Sequence, residues 1–219
     1  NTLASLTDPE AFASKAQMFS SPVFVFAEWL LALPVIFHCL NGSRLLFYEL
    51  FTTRFDRSLR GWVYLLTLTY MILLGYLMIR GNQQVSAHLF WLLVLLGAGF
   101  ISFILVDRIR NGPGSFSWKL HRITAAMLFL LVPAHMLFMH LNPEVGRNVS
   151  IIVERMGQPL ILVVDALLLC CILYHGAYGL LGIVRDYSDN QTLVRGAGAA
   201  ISIIFIFFGF QGISLIVSI

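Results

Sequence analysis

Two stretches of the 219-residue sequence repeat the same polar pattern inside otherwise apolar runs. FHCLNGSRLLFYE contains His38, Gly42 and Glu49, and YHGAYGLLGIVRD contains His175, Gly179 and Asp186. In both, the glycine stands at +4 and the acid at +11 from the histidine. On a 3.6-residue helix these offsets fall on one face. Gly182, at +7, extends that face in the second stretch. Neutral imidazole is a good iron ligand. A glycine one turn away removes the side chain that would obstruct a flat macrocycle set edge-on between helices. Two such histidines at one depth could hold opposite faces of a single haem b. The plainer reading is that a lone intramembrane histidine is a hydrogen-bonded core residue and that glycine marks helix–helix contact. The matched pair favours ligation, because ionisable groups in a membrane are costly and mostly functional.

The elements that must position these residues are membrane helices. The chain is 58% hydrophobic and only 11% charged, against about a quarter charged in soluble domains. A soluble fold of this size could not hide that much apolar surface. An all-α, polytopic bundle follows, because a helix needs about 20 apolar residues to cross a bilayer. Six runs qualify, at roughly 22–50, 60–80, 86–107, 117–141, 158–186 and 195–218. Residues 1–21 are polar and form an extramembrane segment; residues 22–219 form the bundle.

The first and fifth helices have three others between them, so they cross in the same direction. Each histidine precedes its acid by 11 residues, roughly 16 Å of helical rise. The two imidazoles therefore reach one depth. Basic residues concentrate in the connections around 54–60, 108–122 and 185–195, which places those connections on the cytoplasmic or matrix side and both ends of the chain outside. Between the fourth and fifth helices, Val145, Val149, Ile152 and Met156 share a face suited to a helix lying in the outer interface.

Other signals are weaker. The net charge of +3 is spread over loops and does not suggest nucleic acid. Cys39, Cys170 and Cys171 lack zinc or iron–sulfur spacing. No GxGxxG or Walker motif is present, so neither a dinucleotide nor an iron–sulfur cluster is expected on this chain. No signal peptide is visible, and the sequons at Asn148 and Asn190 are read as chance. His121 and Arg122 open the fourth helix, where they either contact haem propionates or a polar ligand, or simply anchor the inner end. His135 lies 13 residues beyond Arg122, roughly 20 Å deeper. It is a candidate ligand for a second haem, without a depth-matched partner. His88 and His140 both sit near the outer end and could pair with each other. Pro34 and Pro133, each within a turn of a histidine, are expected to bend their helices.

Together these residues resemble the membrane-anchor cytochrome b of succinate dehydrogenases and quinol:fumarate reductases. The marks are the His-x3-Gly-x-Arg-x4-acid run of His38, Gly42, Arg44 and Glu49, the His-x3-Gly-x6-Asp-Tyr run ending at Asp186 and Tyr187, and KLHRIT before His135. The resemblance implies that His38 and His175 ligate the haem nearer the soluble subunits. It also implies that Ser117, Arg122, Asp186 and Tyr187 form a quinone pocket, and that His135 ligates a second haem in two-haem members. In that pocket Tyr187 would donate to a quinone carbonyl, Ser117 and Arg122 would position the ring, and Asp186 would orient the tyrosine or relay protons. An iron–sulfur subunit and a flavoprotein subunit are the implied partners, docked on the basic inner loops. The family also has a helix before the one matching the first helix here, so that helix is absent or comes from a further membrane subunit. The third helix has no counterpart and would link two fused halves.

The expected function is electron transfer between the iron–sulfur partner and quinone, in a bacterial or archaeal cytoplasmic membrane or the mitochondrial inner membrane. The chain itself carries no complete site for succinate or fumarate. Two alternatives stay open. One is the cytochrome b of another quinone-linked respiratory enzyme; the other is a cofactor-free, proton-coupled transporter using the two histidines as relays.

Overall fold

The computed structural model describes Met18 and residues 21–51, 56–80, 86–141, 151, 154–155 and 157–217. Apart from Met18, the polar opening segment before residue 21 lies outside these residues. So does the amphipathic face of Val145, Val149, Ile152 and Met156. The helices are α1 (Pro22–Phe51), α2 (Asp56–Arg80), α3 (Ala87–Ile109), α4 (Phe116–Leu141), α5 (Pro159–Tyr187) and α6 (Gln191–Val217). All six are long and apolar enough to cross a membrane, and among the described residues there is no strand. Ile206 at 71% and Ile79 at 86% exposure illustrate an outer surface that is apolar because lipid, not water, is its solvent.

Four helix starts lie within one residue of the hydropathy boundaries; α2 and α6 begin four residues earlier. Hydropathy misses those first turns because polar residues open them, Asp56-Arg57-Ser58 in α2 and Gln191-Thr192 in α6. In α2, Asp56 pairs with Arg60 one turn on at 3.1 Å, with the acid at the positive end of the helix dipole. In α6, Asn190 caps the helix, its Oδ1 accepting from the Thr192 N–H at 3.0 Å and the Leu193 N–H at 3.3 Å. Ser115 does the same for α4, accepting from the Trp118 N–H at 3.1 Å.

The centre of the bundle is α4, which packs against α1, α2, α3 and α5. Its residues Leu128, Leu131, Ala134 and Phe138 meet Trp91 and Ala98 of α3 and Ile161, Val164 and Leu168 of α5 in the main core. On another side, Ala32 of α1 with Met71 and Leu74 of α2 form a second cluster, against which Met136 and Leu137 of α4 pack. Helix α6 leans on α5. The result is that α1 and α5 lie against the same helix without packing extensively on each other.

Polar ties hold α1 and α2 in register with this hub. The Tyr70 hydroxyl donates to the Pro133 carbonyl at 2.7 Å. Pro133 has no N–H, so the Phe129 carbonyl one turn back loses its helical donor. The Cys39 thiol of α1 lies 3.7 Å from that oxygen and 3.8 Å from the Leu128 carbonyl, supplying a weak substitute. Helices α1 and α4 continue through Pro34 and Pro133.

The Trp29 indole N–H donates to the Met71 carbonyl at 2.9 Å. Gly75 makes that possible: a Cβ there would stand 3.0 Å from Trp29 Nε1. Gly75→Ala is therefore expected to push the indole off its carbonyl and destabilise the α1–α2 pair by about 1–3 kcal/mol. A lower thermal midpoint in detergent would register this. Gly61→Ala is the control, because a Cβ at Gly61 meets nothing within 4 Å.

Candidate functional site

Because α1 and α5 splay over α4, a cleft remains between them. It contains a cavity of about 110 Å³ lined by His38, Cys39 and Gly42 of α1, Ala125, Leu128 and Val132 of α4, and His175 of α5. The expected common depth of the two histidines is realised across this cleft. Their ring centroids are 6.2 Å apart with planes at 69°. Metal–imidazole bonds are about 2 Å long, so two imidazoles on opposite sides of one metal have centroids roughly 6 Å apart. His38 is exposed in the cleft and His175 is half-buried.

The glycines behave as a flat ligand would require. A Cβ at Gly42 or at Gly182 would meet nothing within 4 Å, and one at Gly179 would meet only His121 Nε2, at 3.8 Å. The space beside Gly42 and Gly182 is thus not taken by protein packing, which is the ordinary reason for glycine between helices, whereas His121 packs beside Gly179. His175 Nδ1 and His121 Nε2 are buried without a hydrogen-bond partner among the described residues. Such orphaned groups are costly in a low-dielectric interior. Among the described residues no group of three or more His, Cys, Asp or Glu side chains converges on a point. A pair of facing imidazoles is the donor set a haem b would need, since its macrocycle supplies the metal's other positions.

His121 enters the site in a way its position in the sequence did not indicate. Its ring stacks on His175 at 4.4 Å, 12° from parallel, and on Tyr178 at 4.6 Å. Arg122 Nη1 lies 3.1 Å from His121 Nδ1. Arginine can only donate, so Nδ1 accepts and the ring's proton sits on Nε2, beside Gly179. Arg122 also covers the Trp118 ring at 4.8 Å and pairs with Glu49 at 3.2 Å. Arg44 pairs with Asp56 and donates to Asn41 at 3.0 Å. Glu49, the +11 acid of the first motif, thus holds a cation of α4. Among the described residues Asp186, the +11 acid of the second, has no such partner.

The remaining candidates are dispersed. The Ser117 carbonyl accepts from the Tyr174 hydroxyl at 3.0 Å. Tyr187 lies 13 residues beyond Tyr174 on the same helix, roughly 20 Å of rise. It is 89% exposed, and Asp186 beside it is exposed too. Among the described residues no hydrogen bond or ion pair joins Ser117 or Arg122 to Asp186 or Tyr187. His135 stands 6.3 Å from Trp91 of α3, and its Nδ1 is buried without a hydrogen-bond partner among the described residues. His140 pairs with Glu28 at 3.4 Å. The tyrosines at −1 and +3 from His175 were not singled out from the sequence; Tyr178, one turn from His175, was the available signal.

The model of the family described as "Succinate dehydrogenase/Fumarate reductase transmembrane subunit" matches residues 2–78 and 105–210. The unmatched interval, 79–104, contains most of α3. The succinate dehydrogenase hydrophobic membrane anchor subunit of Archaeoglobus fulgidus is 29% identical over 103 residues, covering 47% of this chain and 88% of the relative. No solved structure matches the chain.

Proposed function

From the premise that this chain belongs to the succinate dehydrogenase/fumarate reductase transmembrane-subunit family, we propose that it is a haem b-bearing anchor carrying electrons between a soluble iron–sulfur subunit and membrane quinone. The carrying observation is the His38–His175 pair, 6.2 Å between centroids across a cavity that both line. A bound haem b supplies one-electron oxidation and reduction within the membrane. The protein's part is ligation and placement. His38 and His175 would hold the iron from two parallel helices, Gly42 and Gly182 would leave room for the ring, and Gly179 lets His121 pack close to α5. His121, with Nε2–H beside Gly179 and Arg122 behind it, would donate to a propionate. Arg44 and Arg122, held by Asp56 and Glu49, keep the inner end of the bundle positive on balance with Arg108 and Arg110.

Quinone chemistry belongs at the inner end, where Tyr187 can donate to a carbonyl and Asp186 is free to orient it or relay a proton. Ser117 and Arg122, in the first two turns of α4, would position the ring from the neighbouring helix. The iron–sulfur and flavoprotein subunits carry the succinate or fumarate chemistry, docking on the basic inner loops. The exposure of His38 favours a further helix closing that side of the cleft, from another membrane subunit or from chain outside the described residues. His135 remains the ligand for a second haem only if such an element brings a partner to it.

The deciding experiment is purification of the complex with its subunits identified and its haem-to-chain ratio measured. One haem b per chain, with flavin and iron–sulfur subunits co-purifying, is the expected result. Two haems would bring His135 into play. A complex lacking haem absorption in its reduced-minus-oxidised spectrum would favour the proton-coupled transporter, and different soluble partners would favour another respiratory enzyme.

A further inference from the structure

A second, larger cavity lies on the other side of α1. It measures about 330 Å³ and runs between α1 and α3, floored by α4. Its walls include Leu46, Phe47 and Phe51 of α1, Ile104 and Leu105 of α3, and Phe129 of α4. Helices α1 and α3 both pack on α4, and the cleft lies where they do not pack extensively on each other. It follows α1 from Ser43 to Phe51, roughly 12 Å along the helix axis. Its long direction therefore lies across the bilayer, as an acyl chain does.

The chemistry of the two ends is unequal. Ser43 is the polar side chain lining the cleft, and its hydroxyl is already committed to the Cys39 carbonyl at 2.8 Å. Nothing inside is left to orient a polar head. At the Phe51 end, the Arg108 guanidinium lies over the Phe51 ring at 5.1 Å. Arg110 is occupied by Asp107 at 3.4 Å, but Arg108 has no carboxylate partner among the described residues. An apolar slot parallel to the helices, ending at an uncommitted cation beside the interface, matches an amphiphile with one chain and an anionic head.

We propose that the α1–α3 cleft is a specific binding site for an anionic glycerophospholipid, with an acyl chain between Phe47 and Ile104 and the phosphate at Arg108. The lipid fills the gap between α1 and α3 and ties α3, most of which falls outside the family match, to the rest of the bundle. This cleft opens on the other side of α1 from the haem cleft, with Ser43 and Leu46 lining both.

The test is native mass spectrometry of the purified complex after reconstitution into nanodiscs of mixed phosphatidylglycerol and phosphatidylcholine. The wild-type complex is expected to retain one phosphatidylglycerol per chain in preference to phosphatidylcholine. Arg108→Gln, at an exposed helix end, should lose the preference while keeping a lipid. Ile104→Trp, which fills the cleft from a partly exposed position, should lose the lipid. The size-exclusion profile reports whether each variant remains folded. Should Ile104→Trp not fold, Ile101→Phe serves as the second filling variant, since Ile101 lines this cleft and not the haem cleft. An undiminished headgroup preference in Arg108→Gln, or undiminished lipid in a folded cleft-filling variant, overturns the proposal. So does retention of an isoprenoid quinone in place of phospholipid.

Discussion

Alanine at His38 and alanine at His175 should each abolish one and the same low-spin haem signal. The two residues lie on different helices, 137 positions apart in the sequence, yet their rings face each other across one cavity at 6.2 Å. If they are the two axial ligands of one iron, either loss removes half of the axial field, and the bis-imidazole spectrum should vanish completely in both variants. Independent core histidines would behave otherwise: each substitution would cost some stability and leave any spectrum intact. Membrane insertion should survive, because neither change alters the length or apolar character of α1 or α5. The measurement is the reduced-minus-oxidised spectrum with the low-temperature paramagnetic resonance of the oxidised form. A variant that kept a full bis-imidazole signal would remove that histidine from the ligand set. A His121→Ala variant is the informative contrast, since His121 stacks on His175 without facing His38; its haem should persist with altered retention.

Leucine at Gly42 should have the second largest effect, of a different kind. A Cβ at this position meets nothing within 4 Å, so protein packing alone does not demand glycine there. Helix propensity favours a larger residue by about 0.5–1 kcal/mol. Gly42→Leu should therefore leave the folded bundle as stable as before, or slightly more so. If the open space beside Gly42 belongs to a macrocycle, the added side chain must be accommodated against it, at an overpacking cost of about 1–3 kcal/mol. Haem affinity would fall by roughly fivefold to more than a hundredfold. Titrating haem into the apoprotein while following thermal unfolding separates the two effects. Unchanged haem affinity in Gly42→Leu would place the macrocycle away from this face of α1.

The six crossings were readable because the bilayer imposes a length and composition on each segment independently of its neighbours. The +4 and +11 pattern was readable for a similar reason: helical periodicity alone puts His38, Gly42 and Glu49 on one face, and the order of crossings alone makes α1 and α5 parallel. Local capping was legible only in part. Polar residues open α2 and α6, Asp56-Arg57-Ser58 and Gln191-Thr192, so hydropathy started both helices late, although Asp56 and Asn190 are recognisable helix-start residues.

Membrane insertion, the all-helical fold and the equal depth of His38 and His175 thus follow from the chain's one-dimensional pattern, since each depends on helical rise and on transfer of apolar residues into lipid. Their mutual approach does not. It required α1 and α5 to settle on the same central helix while leaving a gap, an outcome of side-chain shapes along α4. The same packing put His121 against His175, gave Glu49 to Arg122 and Asp56 to Arg44, and set Trp91 beside His135. It also set the stagger of α4 against α5, which brings the Tyr174 hydroxyl to the Ser117 carbonyl, because relative stagger between antiparallel helices is set by which side chains interlock. Periodicity within one helix contains no record of that stagger, nor of the apolar cleft that opens where α1 and α3 fail to meet.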